Sequence, residues 1–220
     1  MSTKAAARPA APAKRHVRTP NADRSAATRA KLLNATIACL HELGYHQTST
    51  VVVTERARVS RGAMLHHFPT KADLMMAASE HIVELRRDLH ADRLGELKSD
   101  REKFLHLVDI LWAAFETPSG IARIEIMLGS RSDPEIGPRF SELNDKLDER
   151  HKSVVWSLAQ QVGVSARNKR KLRAFVQLYA AALRGLAIDS LWPGSRTDIK
   201  SAIALLKEFQ VAMLDGMLDD

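Results

Sequence analysis

Residues 28–74 read TRAKLLNATIACLHELGYHQTSTVVVTERARVSRGAMLHHFPTKADL, and the order of apolar, small and turn-forming residues in this stretch decides the fold. Leu32, Ala35, Cys39 and Leu43 recur on one helical stripe, with Leu33, Ile37 and Leu40 beside it, until Gly44 closes the helix as a C-cap. A short helix is expected from about Thr50 to Ala57, a tight turn at Arg58 and Val59, and a second short helix ending at His67, with Ser60 as its N-cap. Phe68-Pro69 stops that helix, and Thr70 or Lys71 opens a long one reaching about Leu97. Two short helices joined by a tight turn, behind a longer helix, form a helix-turn-helix arrangement. The second helix of such a pair fits the major groove, which is about 12 Å wide.

Charge supports that placement. The chain of 220 residues carries a formal net charge of +7. Residues 1–75 hold twelve Lys/Arg against four acids, whereas the rest of the chain holds twenty-one against twenty-two. All of the excess positive charge therefore lies in the first third, as expected when one end faces a polyanion. Nucleic acid is the leading partner. An anionic membrane surface is the rival, but this segment offers no bulky apolar face to insert.

Upstream, residues 1–24 carry three prolines, many small residues and a single acid, so they are expected to be a disordered basic arm. Arg8, Pro9 and Pro12 interrupt the alanine-rich run that could pass for a leader, and no apolar run reaches the roughly 18 residues of a membrane span. With Cys39 as the one cysteine, no intramolecular disulfide is available, and a cytoplasmic location is expected.

Downstream, amphipathic helices are expected over 100–116, 119–129, 136–161, 167–191 and 198–218, separated by Thr117-Pro118, Asp133-Pro134, Gly163 to Ser165 and Trp192-Pro193-Gly194-Ser195. The fold class is therefore all-α: a helix-turn-helix domain over 25–74 and a helical bundle over 75–220. The last two helices carry apolar residues at three- and four-residue spacing, Phe175, Tyr179 and Leu183 on one and Ile199, Ile203, Leu206 and Phe209 on the other. Two such helices per subunit can form a four-helix dimer interface across a two-fold axis, with Phe175, Leu183, Ile203, Leu206 and Phe209 in it. A purely intramolecular core is the alternative.

Catalytic and metal-binding readings find little support. No P-loop, dinucleotide fingerprint, nucleophile elbow or HExxH helix is present, and Cys39 sits on a core stripe, so no enzyme activity and no cofactor are expected. His66 and His67 are adjacent on a helix and point about 100 degrees apart, without a cysteine or acid at ligand spacing, so no metal site is expected. A helical interaction module whose basic end binds an acidic protein is the rival class.

The quoted stretch resembles the DNA-binding domain of the TetR family. Arg29, Leu33 and Ala35 open the first helix in the family manner, Gly44-Tyr45 follow it, and Thr48 and Thr50 introduce the second. Ala57, Val59 and Ser60 mark the turn, and Gly62, Leu65, His67, Phe68 and Lys71 complete the signature. Three positions depart from it: Arg58 stands where the turn usually has glycine, Thr54 where alanine is common, and His66 where tyrosine is habitual.

The resemblance implies a dimeric, ligand-responsive transcriptional regulator, a repressor released from a palindromic operator by a small apolar effector. Arg61, Ala63, Met64, His66 and His67 would face the groove or its walls, with Arg61 suited to guanine and Ala63 to a thymine methyl. Arg29, Thr48, Thr50, Ser60 and Lys71 would hold phosphates, and Arg24 and the arginines of the arm would add salt-sensitive affinity. Val53, Ala57, Val59, Leu65 and Phe68 would form the core of the motif. For the effector, Trp112, Met127 and Tyr179 would line a mostly apolar cavity with a few orienting polar groups.

Overall fold

In a computed structural model the protein is described over residues 20–192 and 196–218, and among these residues it is entirely helical apart from turns. Ten α-helices follow one another: α1 Pro20–Gln47, α2 Thr50–Ala57, α3 Arg61–His67, α4 Lys71–Gly95, α5 Asp100–Leu105, α6 Leu107–Phe115, α7 Pro118–Ser130, α8 Gly137–Gln161, α9 Lys169–Asp189 and α10 Arg196–Leu218. A single 3-10 turn, Ala166–Asn168, leads into α9. Residues 1–19 of the expected arm, and the Pro193-Gly194-Ser195 break, lie outside the described residues.

The helix starts are set by local chemistry. Ser49, Ser60, Thr70, Ser99 and Thr117 each accept a backbone N–H from the first turn of the helix they precede. At Thr70 and Ser99 the exchange is reciprocal, since Asp73 and Glu102 reach back to the cap backbone as a capping box. Gly44 has φ 77° and breaks α1 where the sequence placed its cap. Two boundaries differ from expectation. Pro20 to Arg24 belong to α1 and not to the arm, with Pro20 at the start, where its missing N–H costs nothing. The helix expected over 100–116 is divided at His106 (φ −90°, ψ 0°), whose Nδ1 lies 2.9 Å from the Glu102 carbonyl oxygen in competition with the helical ladder.

Two apolar clusters organise the packing. The first gathers Leu32, Leu33, Leu40, Val53, Met64 and Phe68 with Leu74, Met75 and Ile82 of α4. It also takes in Ala122 and Ile126 of α7 and Ile136 and Phe140 near the start of α8. The second gathers Phe104, Val108 and Leu111 with Val155, Leu172, Val176 and Tyr179. Met127 packs against both. The frontier between the clusters runs through α7, and the first cluster extends along α4 as far as Ile82.

Candidate nucleic-acid interface and effector cavity

Helices α2 and α3 reproduce the expected helix-turn-helix, joined at Arg58, which takes the left-handed conformation (φ 53°, ψ 45°). Its N–H and that of Val59 close onto the Glu55 and Thr54 carbonyls and satisfy the end of α2. Ser60 then accepts the Ala63 N–H at 3.2 Å and starts α3. From that start, Met64 and Phe68 fall on the inner face and are buried, while Arg61, Leu65 and His66 fall on the outer face and are exposed. Ala63 and His67 sit at the margin. The sequence assigned Met64 to the groove and Leu65 to the core; the structure exchanges them. One residue of phase, or about 100 degrees, separates the two readings, and both side chains are equally apolar.

The predicted phosphate contacts divide. Arg29 is exposed, with its guanidinium 5.6 Å from the Phe68 ring centroid, and Thr50 and Ser60 lie at or near the surface. Thr48 is fully buried, and its hydroxyl donates to the Gly44 carbonyl at 2.7 Å, so it secures the bend after α1 and cannot reach a phosphate. Lys71 is turned inward. Its ammonium donates to the Tyr45 carbonyl at 3.2 Å and lies 4.4 Å from the centre of the Tyr45 ring, and desolvation holds its pKa below the usual lysine value. Arg56 is committed to a two-point bond with Glu42, at 2.6 and 2.5 Å.

Tyr45 ties the end of α1 to α4, to α7 and to the turn before α8. Its hydroxyl donates to Asp133 at 2.9 Å and its N–H donates to Glu125 at 2.9 Å, while Lys71 ties it to the start of α4. The ring lies on α7 where Gly129 leaves room: a Cβ there would stand 2.2 Å from a ring carbon. Gly44-Tyr45 is visible as a motif, but the partners Asp133 and Gly129 are more than eighty residues away and carry no local signal.

Within the helical bundle a cavity of about 120 Å³ opens between α4, α6, α7, α8 and α9. Leu111, Phe115, Ile124 and Met127 form an apolar wall. Arg86, Arg123 and Arg184 face it, with Asn144, Asp148 and His151 beside them. Met127, one of the three residues expected to line a pocket, is part of that wall. Trp112 packs in the second cluster outside the lining, and Tyr179 lies one layer back, fully buried, 2.6 Å by its hydroxyl from His151 Nε2. The wall is only half apolar. The three arginines are 37 and 61 residues apart in the sequence and converge only in the folded bundle, so no local pattern marks them.

The expected dimer stripe also needs correction. Phe175, Leu183 and Leu206 are buried in the protomer's own second cluster and Ile203 packs against it, so of the five residues only Phe209 is freely exposed, at 56%. A neighbouring stripe is exposed in their place. Ala174, Leu178, Ala181 and Gly185 run along α9, and Leu205, Phe209, Ala212 and Gly216 along α10. Their spacing is the same three-and-four pattern shifted around the helix, which periodicity alone cannot distinguish.

Comparison with known proteins agrees with this geometry. The family described as "Bacterial regulatory proteins, tetR family" matches residues 32–78. The HTH-type transcriptional regulator CymR of Pseudomonas putida is 30% identical over 172 residues, covering 78% of this chain and 83% of that protein. The HTH-type transcriptional repressor AcnR of Corynebacterium efficiens is 29% identical over 131 residues, covering 58% of this chain and 63% of that protein. Among solved structures, a putative transcriptional regulator from Saccharomonospora viridis in complex with choline superposes with TM-score 0.66 at 18% identity, covering 84% of this chain and 95% of that one. The motif, the fold around it and these relatives together place the chain in the TetR family of DNA-binding transcriptional regulators.

Proposed function

We propose that the protein is a homodimeric repressor that reads an inverted-repeat operator with α3 and leaves it when a small molecule occupies the bundle cavity. The observation that carries the reading is the outer face of α3. Arg61, His66 and Leu65 project there, beside the exposed Val51 of α2, so hydrogen-bonding and methyl-contacting groups stand together on a groove-sized helix. Arg61 is assigned a guanine edge, Ala63 a thymine methyl, and His66 and His67 the neighbouring bases or groove walls. Arg29, Thr50 and Ser60, with the free amides at the starts of α2 and α3, are assigned the phosphates.

Dimerisation is supported by the exposed stripe of α9 and α10. Gly185 and Gly216 sit in it, and a Cβ on either would meet nothing within 4 Å in the protomer. A glycine inside a helix costs about 1 kcal/mol relative to alanine. Nothing among the described residues of the subunit accounts for these two, whereas close approach of a partner's helices would. The pattern of small residues with Leu178, Leu205 and Phe209 suits a four-helix bundle about a two-fold axis.

The route from cavity to DNA runs along α4. Arg86 lines the cavity on this helix, and Lys71 at its start holds Tyr45 at the end of α1. Recognition helices in a dimer must meet successive major grooves about 34 to 36 Å apart, so a modest tilt of α4 on ligand binding spoils simultaneous docking. The ligand acts only through its differential affinity for the two states.

Arg61→Ala tests the reading head. It is expected to weaken operator binding by about 1 to 3 kcal/mol and to relax preference at one base pair. Unaltered preference at every position would remove Arg61 as a reader.

A further inference from the structure

We propose that the effector is a small organic carboxylate whose apolar body lies on the Leu111, Phe115, Ile124 and Met127 wall and whose carboxylate is held by Arg86, Arg123 and Arg184. This deepens the ligand-responsive reading above and rests on it for its regulatory meaning, though not for its binding chemistry.

Three guanidiniums converge on one small cavity without a carboxylate to balance them. Among the described residues no acid lies within ion-pair distance of Arg86, Arg123 or Arg184. Asp148, the one acid in the lining, is engaged by Lys152. The contacts that Arg123 does make are neutral: its two terminal nitrogens donate to Ser79 Oγ at 3.0 Å and Asn144 Oδ1 at 3.1 Å, and the Phe140 ring lies under it. Arg86 stacks on Phe115, with its guanidinium carbon 4.9 Å from the ring centre. These contacts hold the forks in place without neutralising them.

Electrostatics carries the mark of that crowding. Burial, and then repulsion from the neighbouring arginines, pulls Arg86 and Arg123 down to about 10. One turn beyond Arg86, burial followed by repulsion from Arg86 brings His90 down to about 4, and its Nε2 is buried without a hydrogen-bond partner. His151 in the lining is lowered for the same two reasons in the same order. Burial acts first in each case, and the repulsion beside it runs from Arg86 to His151 in the lining and to His90 next along α4, so cationic groups are gathered on this side of the bundle. Partly buried unpaired cations are costly, and a site that keeps three of them is organised for an anion that is not part of the chain.

Geometry narrows the anion. A planar guanidinium fork matches a carboxylate in a two-point contact, and the wall opposite offers only carbon and sulfur. A dry cavity of about 150 Å³ holds a benzene ring, so the smaller volume here, about 120 Å³, limits the apolar body to at most a single ring or a short branched chain. Choline, bound by the Saccharomonospora viridis relative, has the opposite charge and is expected to be excluded.

The experiment uses the full chain and benzoate as probe, with benzyl alcohol, choline and inorganic phosphate as comparisons, read by calorimetry and by melting temperature. Benzoate is expected to bind at least tenfold tighter than benzyl alcohol or phosphate, with no detectable binding of choline. Arg184→Gln is expected to raise the melting temperature of the ligand-free protein, because it relieves repulsion, and to reduce benzoate affinity at least tenfold. Benzoate binding no tighter than benzyl alcohol overturns the proposal, as does a lowered melting temperature for folded Arg184→Gln. Phosphate binding as tight as benzoate overturns the assignment of an apolar body. Operator release is measured in parallel: benzoate that binds without releasing DNA leaves the site assigned and refutes the ligand-gated reading, whereas release by benzyl alcohol alone does the reverse.

Discussion

Gly129→Ala is a one-methyl change expected to act across the junction between the reading head and the bundle. The added Cβ would stand 2.2, 2.3 and 2.6 Å from three carbons of the Tyr45 ring, all far inside van der Waals contact. The ring has little freedom to retreat: Tyr45 is 5% exposed, its hydroxyl is held by Asp133, its N–H by Glu125, and its face by Lys71. Overpacking of this kind costs about 1 to 3 kcal/mol. Losing the Tyr45–Asp133 bond would add about 1 kcal/mol, and the better helix propensity of alanine returns up to about 1 kcal/mol. The net expectation is a loss of about 1 to 3 kcal/mol, or a fall in Tm of roughly 2 to 12 °C for a chain of this size. Thermal denaturation of Gly129→Ala in the native and Tyr45→Ala backgrounds separates the causes. With the ring absent, the same methyl should cost nothing or stabilise. An equal penalty in both backgrounds would refute the clash as the cause.

Four further expectations follow from the same structure. Arg58→Gly should raise stability by about 0.5 to 1 kcal/mol in denaturant titration, because a non-glycine residue in the left-handed region costs about 1 to 2 kcal/mol and the greater freedom of glycine when unfolded offsets part of the gain. Lys71→Met should lower Tm yet leave the salt slope of operator binding unchanged, since its ammonium is spent on Tyr45; a slope reduced by about 1 would restore it as a phosphate contact. Phe209→Asp should leave the protomer fold intact by circular dichroism and shift a sedimenting dimer to monomer, while an unchanged dimer would move the interface elsewhere. His90, with its pKa lowered from 6.5 to about 4, binds protons more readily when unfolded, so stability should be full above pH 6.5 and fall as pH drops toward 4. His90→Leu should flatten that part of the pH profile, and an unflattened profile would assign the acid loss to other groups.

Legibility in the sequence followed the range of the interactions involved. Helix starts and stops were readable because Ser60, Thr70, Gly44 and Pro69 act on their immediate neighbours, and α2 and α3 lie where those residues put them. Phase was not readable between equally apolar neighbours: Met64 and Leu65 exchanged inner and outer places, and the stripe of Phe175 and Leu183 proved to be core while Leu178 and Ala181 one step around are exposed. Periodicity fixes the spacing of an apolar face, and packing partners choose its direction. Side chains with several roles were hardest to place. Thr48 and Lys71 have the chemistry of phosphate ligands, yet both find carbonyl partners in the bend after α1. The arginine cluster was invisible for the opposite reason, since Arg86, Arg123 and Arg184 each look like an ordinary surface residue until three helices bring them together.

Selection of bound sequences from a random duplex pool, with the purified protein at about physiological salt, tests the central claim most directly. The account predicts enrichment of an inverted repeat whose half-sites are centred near one helical turn, or a multiple of it, apart. Recovery of no preferred sequence by protein shown to be folded and dimeric would contradict it, leaving only charge attraction at the basic end and favouring an acidic protein as its partner.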